Sequence, residues 1–185
     1  MCNYEINELK FDTEGLYSLT KPLQADYISD LIKNTYISNY HNKDIIITDA
    51  TAGVGGNSIS FAEHFTKVNC IEINEYRFNC LKENLKKFNL YNTVLYHDNF
   101  INLFFKLESD IVFIDPPWGG PNYKYKHNLR LKLSNIYLED LCLMLKNNKM
   151  IVLKLPLNYQ LDYFKKYFNL KIKKLKNMYI IFILY

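Results

Sequence analysis

The chain has 185 residues, of which 49% are apolar and 16% aromatic, and its formal net charge is +4. This length can bury a core without metal or disulfide support, and the composition excludes a disordered chain. The small positive charge is compatible with a polyanionic partner, but an A+T-rich genome would favour the same excess of Lys, Asn, Ile and Tyr.

The cysteines and the N-terminus exclude several other classes of protein. No cysteines form a C-x-x-C pair or match a zinc module, so we expect no metal, and Cys70 and Cys142 lie in apolar runs typical of a core. The N-terminus carries no apolar signal segment, and no apolar run approaches the ~20 residues that span a bilayer. We therefore expect a reduced, intracellular protein with no membrane partner. The four cysteines are Cys2, Cys70, Cys80 and Cys142.

Apolar periodicity predicts strands that alternate with helices along the chain. A polar loop is expected after Pro117, and a turn around Lys176 and Asn177 joins the last two strands. In chain order, the predicted elements are a helix capped by Thr20 that ends near Ser38, a strand at 45–48, a helix at 57–64, a strand at 68–71, a helix at 75–88, strands at 93–96 and 110–114, a helix at 134–145, a strand at 150–155, a helix at 157–168, and strands at 171–174 and 178–185.

Strands separated by helices of this length predict a parallel sheet covered on both faces. The last two strands form a hairpin, which adds an antiparallel strand at one side. Right-handed crossovers then give a doubly wound α/β fold, in which ligands bind at the carboxyl ends of the strands. We predict a single domain over residues 1–185, with an N-terminal segment and helix at 1–40 and the core at 41–185.

A glycine-rich loop follows the first predicted strand. Its sequence is Asp49-Ala50-Thr51-Ala52-Gly53-Val54-Gly55-Gly56-Asn57, and it leads into a helix. Glycines permit positive φ and let the backbone approach a ligand closely. No Lys-Ser/Thr follows the last glycine, so the loop is not a Walker A, and it is not a clean G-x-G-x-x-G either. The glycines alone fit a structural turn as well as a ligand site.

Acidic and amide side chains follow the next two strands. Glu72 ends the second strand, where a carboxylate can accept both hydroxyls of a bound ribose, or can lie at a helix N-terminus. The glycine loop upstream favours ribose binding. Asp98 and Asn99 end the third strand, and either side chain could hold an adenine amino group or cap a helix.

Together the glycine loop and these acids resemble class I S-adenosylmethionine-dependent methyltransferases. The D-A-x-x-G-x-G-G-N signature distinguishes the chain from nicotinamide-dependent Rossmann proteins. The resemblance implies S-adenosyl-L-methionine as cofactor, with Asp49 facing its methionine part directly or through water. The cofactor site would contain Asp49, Thr51, Ala52, Gly53, Gly55, Asn57, Glu72, Asp98 and Asn99.

The segment Asp115-Pro116-Pro117-Trp118-Gly119-Gly120-Pro121 follows the apolar strand at 110–114. A rigid turn would explain the prolines, but not an acid and an aromatic at a strand tip. The exocyclic amine of a nucleobase is a poor nucleophile, because its lone pair is delocalised into the ring. The Asp115 carboxylate and the Pro116 carbonyl can accept its two hydrogens and localise that lone pair, while Trp118 stacks on the base and aligns it. These three residues are the candidate catalytic residues.

The acid-Pro-Pro-aromatic signature resembles amino-methyltransferases acting on adenine N6, cytosine N4 or guanine N2. The longer P-P-W-G-G-P string closely resembles trimethylguanosine synthases, which methylate RNA cap guanine at N2, and Leu16-Tyr17-Ser18-Leu19-Thr20 resembles a cofactor-binding segment of that family. The resemblance implies that Ser18 and Thr20 border the cofactor and that Trp118 stacks on positively charged N7-methylguanine. Two features depart from the family: Asp115 replaces the usual Ser, as in adenine-N6 enzymes, and only 15 residues precede Leu16, where a cap-binding helical extension is common.

Aromatic and basic residues alternate in the loop after the motif. Such a loop suits the triphosphate bridge and the following nucleotides, and a solvated loop in a Lys- and Tyr-rich protein fits equally well. The candidate substrate-binding residues are Trp118, Gly119, Pro121, Tyr123, Lys124, Lys126 and Arg130.

We predict a monomeric enzyme that converts the 7-methylguanosine cap of RNA to its 2,7-dimethyl and 2,2,7-trimethyl forms. It would act in the nucleus of a eukaryotic cell, or in the cytoplasm if a large DNA virus encodes it. The alternatives are an adenine-N6 or internal guanine-N2 methyltransferase on RNA or DNA, and an inactive RNA-binding subunit. The intact glycine loop and the intact segment from Asp115 to Trp118 argue against the inactive subunit.

Overall fold

The computed structural model describes residues 4–185, so Cys2 lies outside the described residues. The remaining cysteines, Cys70, Cys80 and Cys142, are buried free thiols. This confirms the prediction that Cys70 and Cys142 pack in the core.

The chain divides into two compact units, the first ending at Asp110 and the second running from Ile111 to Tyr185. The predicted single domain over residues 1–185 stays a prediction. Among the described residues, no helix combines the length and the apolar character needed to cross a bilayer.

Helices alternate with strands in the first unit, as the periodicity predicts. Its elements are a 3₁₀ turn (Ile6–Glu8), α1 (Thr13–Ser18), α2 (Pro22–Tyr40), β1 (Ile46–Asp49), α3 (Gly56–His64), β2 (Lys67–Glu72), α4 (Glu75–Lys87), β3 (Thr93–His97) and α5 (Phe100–Leu103). The three strands are parallel and lie in the order β3-β2-β1, with Asp49 beside Cys70 and Glu72 beside His97. The carboxyl ends of all three strands therefore lie at one edge of this sheet.

Three polar contacts join α2 to α3. The hydroxyls of Ser29 and Ser60 lie 2.6 Å apart in the core. His64 Nε2 lies 3.4 Å from Asp26 Oδ1 and 3.3 Å from Asp30 Oδ1. Since α3 begins at the glycine loop, these contacts fix the helix that carries the end of the loop.

The second unit also contains parallel strands, followed by a hairpin. Its elements are β4 (Ile111–Ile114), a 3₁₀ turn (Pro121–Tyr125), β5 (Lys132–Leu133), β6 (Ile136–Tyr137), α6 (Leu138–Met144), β7 (Met150–Pro156), α7 (Asp162–Lys165), β8 (Leu170–Lys174) and β9 (Met178–Leu184). The strand order is β4-β7-β9-β8, in which β4 and β7 are parallel while β9 is antiparallel to both of its neighbours. The predicted antiparallel C-terminal hairpin is therefore confirmed.

The predicted cap of the long N-terminal helix is wrong. The N-cap of α2 is Lys21, whose side chain makes no capping bond, and Pro22 occupies the first turn. Proline suits this position because the N–H it lacks would have no partner inside the helix. The helix continues to Tyr40 and ends at His41, which has a φ of 54°. Thr20 lies one residue before that N-cap and is buried.

Two predicted helices in the second unit are also too long. The helix predicted from Ser134 begins at Leu138, because Ser134, with a φ of 55°, turns β5 back into β6. Only α7 forms within the helix predicted at 157–168, because the backbone of residues 158–160 pairs with Leu129. Leu129 N donates to Asn158 O at 2.9 Å, and Gln160 N donates to Leu129 O at 2.8 Å. A tertiary contact overrides local helical propensity here. The short helix α1 was not predicted, and α5 was expected only through the possible helix cap at Asp98 or Asn99.

Candidate active site

The glycine loop joins β1 to α3 and has the backbone conformation that its glycines predict. Gly53 has a φ of 56° and Gly55 a φ of 104°, a region that residues with a Cβ seldom occupy. Ala52 N donates to the carbonyl of Ile71 in β2 at 2.8 Å. A Cβ added to Gly53 would meet no heavy atom within 4 Å. The loop is thus held against β2 and is open at Gly53.

Asp49 is fully buried at the end of β1. Its Oδ2 accepts a hydrogen bond from Ser58 Oγ at 2.7 Å, and its Oδ1 accepts one from Thr51 N at 3.4 Å. A buried carboxylate needs such donors, because water no longer solvates it. Ser58, in the first turns of α3, was missed from the sequence. Its position two residues after the last glycine, in the first turn of α3, was the only signal for it.

Asn57, at the start of α3, has a buried side-chain oxygen without a hydrogen-bond partner among the described residues. A buried acceptor without a donor costs about 1–3 kcal/mol, so the position suits a ligand that brings a donor. S-adenosylmethionine has ammonium and hydroxyl donors, and the loop beside Asn57 is open at Gly53. The residues present therefore fit the predicted cofactor, although the role of each one stays a prediction.

Glu72 links the glycine loop to the start of α4. Its Oε2 accepts from Gly53 N at 2.9 Å, its Oε1 accepts from Asn74 N at 2.7 Å, and Arg77 Nε lies 3.6 Å from Oε1. The Glu72 carboxylate thus lies at the N-terminus of α4, which was the predicted alternative to ribose binding. It also contacts the glycine loop. Its ribose contact stays a prediction.

Asp98 and Asn99 both have local partners after β3. Asn99 is the N-cap of α5 and accepts from Ile101 N at 3.1 Å. Asp98 Oδ1 accepts from Asn102 Nδ2 at 2.9 Å and from Asn99 N at 2.6 Å. These hydrogen bonds, the one from Asn102 first, lower the pKa of Asp98 below its ordinary value. The helix cap is confirmed at Asn99, and an adenine contact by either residue stays a prediction.

Thr20 lies against the glycine loop, whereas the Ser18 hydroxyl is bonded within α1. The backbone of Thr20 packs against the loop, since a Cβ added to Gly56 would lie 3.0 Å from Thr20 O. Ser18 is exposed at the end of α1, and its hydroxyl donates to Glu14 O at 2.9 Å. The structure therefore brings Thr20 to the loop and leaves Ser18 bonded to its own helix.

Asn84 supports the glycine loop from α4 and was missed from the sequence. Its side chain is 2% exposed, and its Nδ2 donates to Val54 O at 2.8 Å and to Lys10 O at 2.9 Å. Its Oδ1 accepts from Lys10 N at 2.8 Å. One amide therefore ties both the loop and the N-terminal segment to α4.

In the second unit, Asp115 lies at the end of β4 beside a lysine that was not predicted. Lys154 lies in β7, one residue beyond the pair formed by Ile114 and Leu153. Its Nζ donates to Asp115 Oδ2 at 2.5 Å, and the side chains are 6% and 15% exposed. Burial raises the pKa of Asp115 above its ordinary value, and the charge and hydrogen bond of Lys154 oppose that rise. A single lysine inside the apolar strand Met150–Pro156 was the sequence signal for this pair.

Trp118 is partly buried, three residues after Asp115. Its ring meets the Tyr123 ring edge-on, with centroids 5.0 Å apart and an interplanar angle of 78°. Lys154 Nζ lies 5.7 Å from the indole centroid. The indole Nε1 is buried and has no hydrogen-bond partner among the described residues. Asp115 and Trp118 thus both lie beside Lys154. The roles of the Pro116 carbonyl as an acceptor and of Trp118 as a stacking surface stay predictions.

The loop after Trp118 begins with positive φ angles of 93° at Gly119 and 70° at Gly120. Asn158 holds the loop, because its Nδ2 donates to the carbonyls of Tyr123 at 2.8 Å and Lys126 at 2.7 Å. The predicted substrate-binding side chains exposed on this loop are Pro121, Lys124 and Lys126.

Arg130 has structural partners. Its guanidinium carbon lies 3.4 Å from the centroid of the Tyr137 ring and 4.2 Å from that of the Tyr163 ring. Its Nε donates to Glu139 Oε1 at 2.5 Å, inside an ion pair with that nearly buried carboxylate. These contacts account for Arg130 without RNA, and its predicted substrate contact stays a prediction.

Replacing Asn84 with Ala should remove the amide that holds Val54 and Lys10. We expect the free energy of unfolding to fall by about 1–3 kcal/mol, because backbone groups lose a buried partner. We also expect weaker cofactor binding, because the loop is less well held. Chemical denaturation and calorimetric titration with S-adenosylmethionine measure the two effects. Asn79→Ala, an exposed change on the same helix, is the control, and equal values for both variants would contradict the role of Asn84.

A family model described as RNA cap guanine-N2 methyltransferase matches residues 44–183. The chain is 38% identical over 183 residues to "Uncharacterized protein L320" of Acanthamoeba polyphaga mimivirus, with 86% of this chain and 71% of that protein covered. It is 34% identical over 102 residues to the trimethylguanosine synthase of Schizosaccharomyces pombe, with 51% of this chain and 42% of that protein covered.

A solved structure with a similar fold is the T. thermophilus 16S rRNA N2 G1207 methyltransferase (RsmC) in complex with AdoMet and guanosine. The TM-score is 0.65 at 15% sequence identity, with 95% of this chain and 43% of that chain covered. A likeness at this identity shows the fold alone. It confirms the predicted α/β class, a Rossmann-like methyltransferase fold with mostly parallel strands.

Proposed function

The chain belongs to the RNA cap guanine-N2 methyltransferase family, and from that premise we propose that it methylates the N2 amine of guanine in 7-methylguanosine RNA caps. It is a methyltransferase that uses S-adenosyl-L-methionine, the predicted cofactor. The proposed products are 2,7-dimethylguanosine and 2,2,7-trimethylguanosine. The trimethylguanosine synthase of S. pombe, similar over half of this chain, supports this choice of amine.

One observation carries the proposal. Asp115 follows β4 and the P-P-W-G-G-P string comes next, so that one cation, Lys154, is ion-paired with the acid and lies 5.7 Å from the centroid of the partly buried indole. An acceptor for amine hydrogens and a flat aromatic surface are the two features that activation of a base amine requires.

The residues of the second unit would act on the base. The Asp115 carboxylate and the Pro116 carbonyl would accept hydrogen bonds from the two N2 hydrogens, which localises the lone pair on nitrogen. The N2 nitrogen would gain the methyl group as the methyl–sulfur bond breaks and releases S-adenosylhomocysteine, and the surplus N2 proton would pass to the Asp115 carboxylate or to water. Trp118 would stack on the base and fix its plane. N7-methylguanine carries a positive charge, and a cation over an indole gains up to ~2 kcal/mol when desolvated, so the stacking would favour a cap over an unmodified guanine.

The residues of the first unit would hold the cofactor. When bound, S-adenosylmethionine supplies a methyl group on a positively charged sulfur. The glycine loop would pack its backbone against the cofactor, and Asn57 would accept a hydrogen bond through its orphaned Oδ1. Asp49 would face the methionine part while Ser58 keeps its carboxylate in place.

Asp115 favours a second candidate function, which is methylation of adenine N6 in RNA or DNA. The adenine amine also carries two hydrogens that an ionised carboxylate and a carbonyl can accept. Methylation of an internal guanine at N2 uses the same groups without a positively charged base.

Labelled cofactor and matched substrates separate these candidates. We expect methyl transfer to a capped RNA carrying 7-methylguanosine, and at least tenfold slower transfer to the same RNA with an unmethylated cap. Uncapped RNA and DNA of the same sequence are the controls for internal guanine and adenine. Activity confined to substrates without N7-methylguanine would reject the proposal, and digestion of the product to nucleosides identifies the methylated atom.

Replacing Trp118 with Ala should lower turnover on the capped RNA about 30-fold or more, the equivalent of ~2 kcal/mol, because the stacking surface is lost. The fold should survive, because the indole is only partly buried. Steady-state kinetics and circular dichroism measure the two effects. Tyr125→Ala, an 83% exposed change in the same loop, is the control. Turnover of Trp118→Ala within a few-fold of the unmodified protein would contradict a stacking role.

A further inference from the structure

Lys154 lies where a lysine is costly. Every residue of β7 is buried, and the others are apolar, so the ammonium has left water inside a strand of the core. Lys154 is 5% exposed, its Nζ lies 2.5 Å from Asp115 Oδ2, and it lies 5.7 Å from the indole centroid of Trp118. The cation therefore contacts the Asp115 carboxylate and lies near the Trp118 ring. In the proposed function, these are the two groups that bind the base.

The protonation state of Asp115 decides how it can act. An ionised carboxylate only accepts hydrogen bonds, whereas a protonated carboxyl carries a donor and loses acceptor capacity. Burial alone favours the protonated form, and a cation at 2.5 Å favours the ionised form. The hydrogen bond also fixes Oδ2, and with it the orientation of the carboxylate plane.

We propose that Lys154 is a positioning residue for methyl transfer, which holds the Asp115 carboxylate ionised and oriented to accept the amine hydrogen. The proposal rests on the proposed function in assigning Asp115 to the amine. Lys154 itself does not contact the substrate in this role. It acts through Asp115, and its effect must therefore depend on pH.

The pH dependence follows from the sign of the charge. Without the cation, the pKa of Asp115 rises further, so a higher pH is needed to ionise the carboxyl. The Lys154→Met variant should therefore be most impaired at low pH and should recover as the pH rises. A purely structural role would lower the rate by the same factor at every pH.

The first experiment measures the single-turnover rate with a 7-methylguanosine cap analogue at saturating cofactor. The pH is varied from about 5.5 to about 9, a range that spans neutrality. We expect Lys154→Met to lose at least tenfold in rate at the acidic end and less at the basic end. Titration of the substrate is common to all variants and cancels in the ratio of rates. Lys132→Met, an exposed change, is the matched control. A ratio of Lys154→Met to unmodified rates that is constant with pH would overturn the proposal.

A neutral pair provides the second variant. In Asp115→Asn combined with Lys154→Met, both charges are absent, so neither group is left buried as an unpaired ion. The acid limb that depends on Asp115 should disappear from its rate profile. Lys154→Gln keeps a hydrogen-bond donor without the charge and should resemble Lys154→Met, so the test remains possible if methionine is not tolerated. A rate profile for Lys154→Gln like that of the unmodified protein would exclude the charge as the cause.

A spectroscopic titration separates this proposal from the proposed function. The ¹³C shift of the Asp115 carboxyl, followed by NMR in the cofactor-bound protein, should titrate at higher pH in Lys154→Met than in the unmodified protein. A shifted titration without methylation of any cap analogue would reject the proposed function and keep the effect of Lys154 on Asp115. Methylation with an unshifted titration would reject the role of Lys154.

Discussion

A carboxylate at the end of a buried strand must find hydrogen-bond donors, because an ionised group out of water is costly without them. The chain meets this requirement in each unit with different donors. Asp49 accepts a hydrogen bond from the hydroxyl of Ser58 in α3, and Glu72 accepts two from backbone N–H groups. Asp115 accepts a hydrogen bond from the ammonium of Lys154. In each unit, the candidate functional residues are organised around these carboxylates.

The donors also restrict how the carboxylates can move. Glu72 accepts from the glycine loop and from the start of α4, so the loop conformation and the strand end are held together. Asn84 holds the other side of the loop through Val54. Methyl transfer needs no covalent intermediate on the protein, and its rate depends on alignment of the reactants. Acceptors whose orientation is fixed before the reactants meet contribute to that alignment.

The fold class and the strand ends could be predicted from the sequence, because both depend on local pattern. Hydrophobic periodicity and β-branched runs predicted the strands, and the glycines of the loop permit the positive φ found at Gly53 and Gly55. The lysine inside an apolar strand indicated that Lys154 is special, but its partner Asp115 lies 39 residues away and could not be identified from the sequence. Asn84 could not be predicted either, because its partner Val54 lies 30 residues away. The helix expected at 157–168 failed for a similar reason, since pairing with a distant loop overrides local propensity.

The chemistry is divided along the chain. Every candidate cofactor residue precedes Asp110, and every candidate base-binding residue follows it. Changes after β4 can therefore alter the preferred amine while the hydrogen bonds of the cofactor loop remain.

In the proposed role, an ionised Asp115 would activate an amine without identifying it, because adenine N6 and guanine N2 both carry two hydrogens. Lys154, by holding that charge state, would raise reactivity toward either base. Discrimination must then come from what surrounds the ring rather than from the acceptor. Trp118 is the residue suited to this, because an indole gains more from a positively charged ring than from a neutral one.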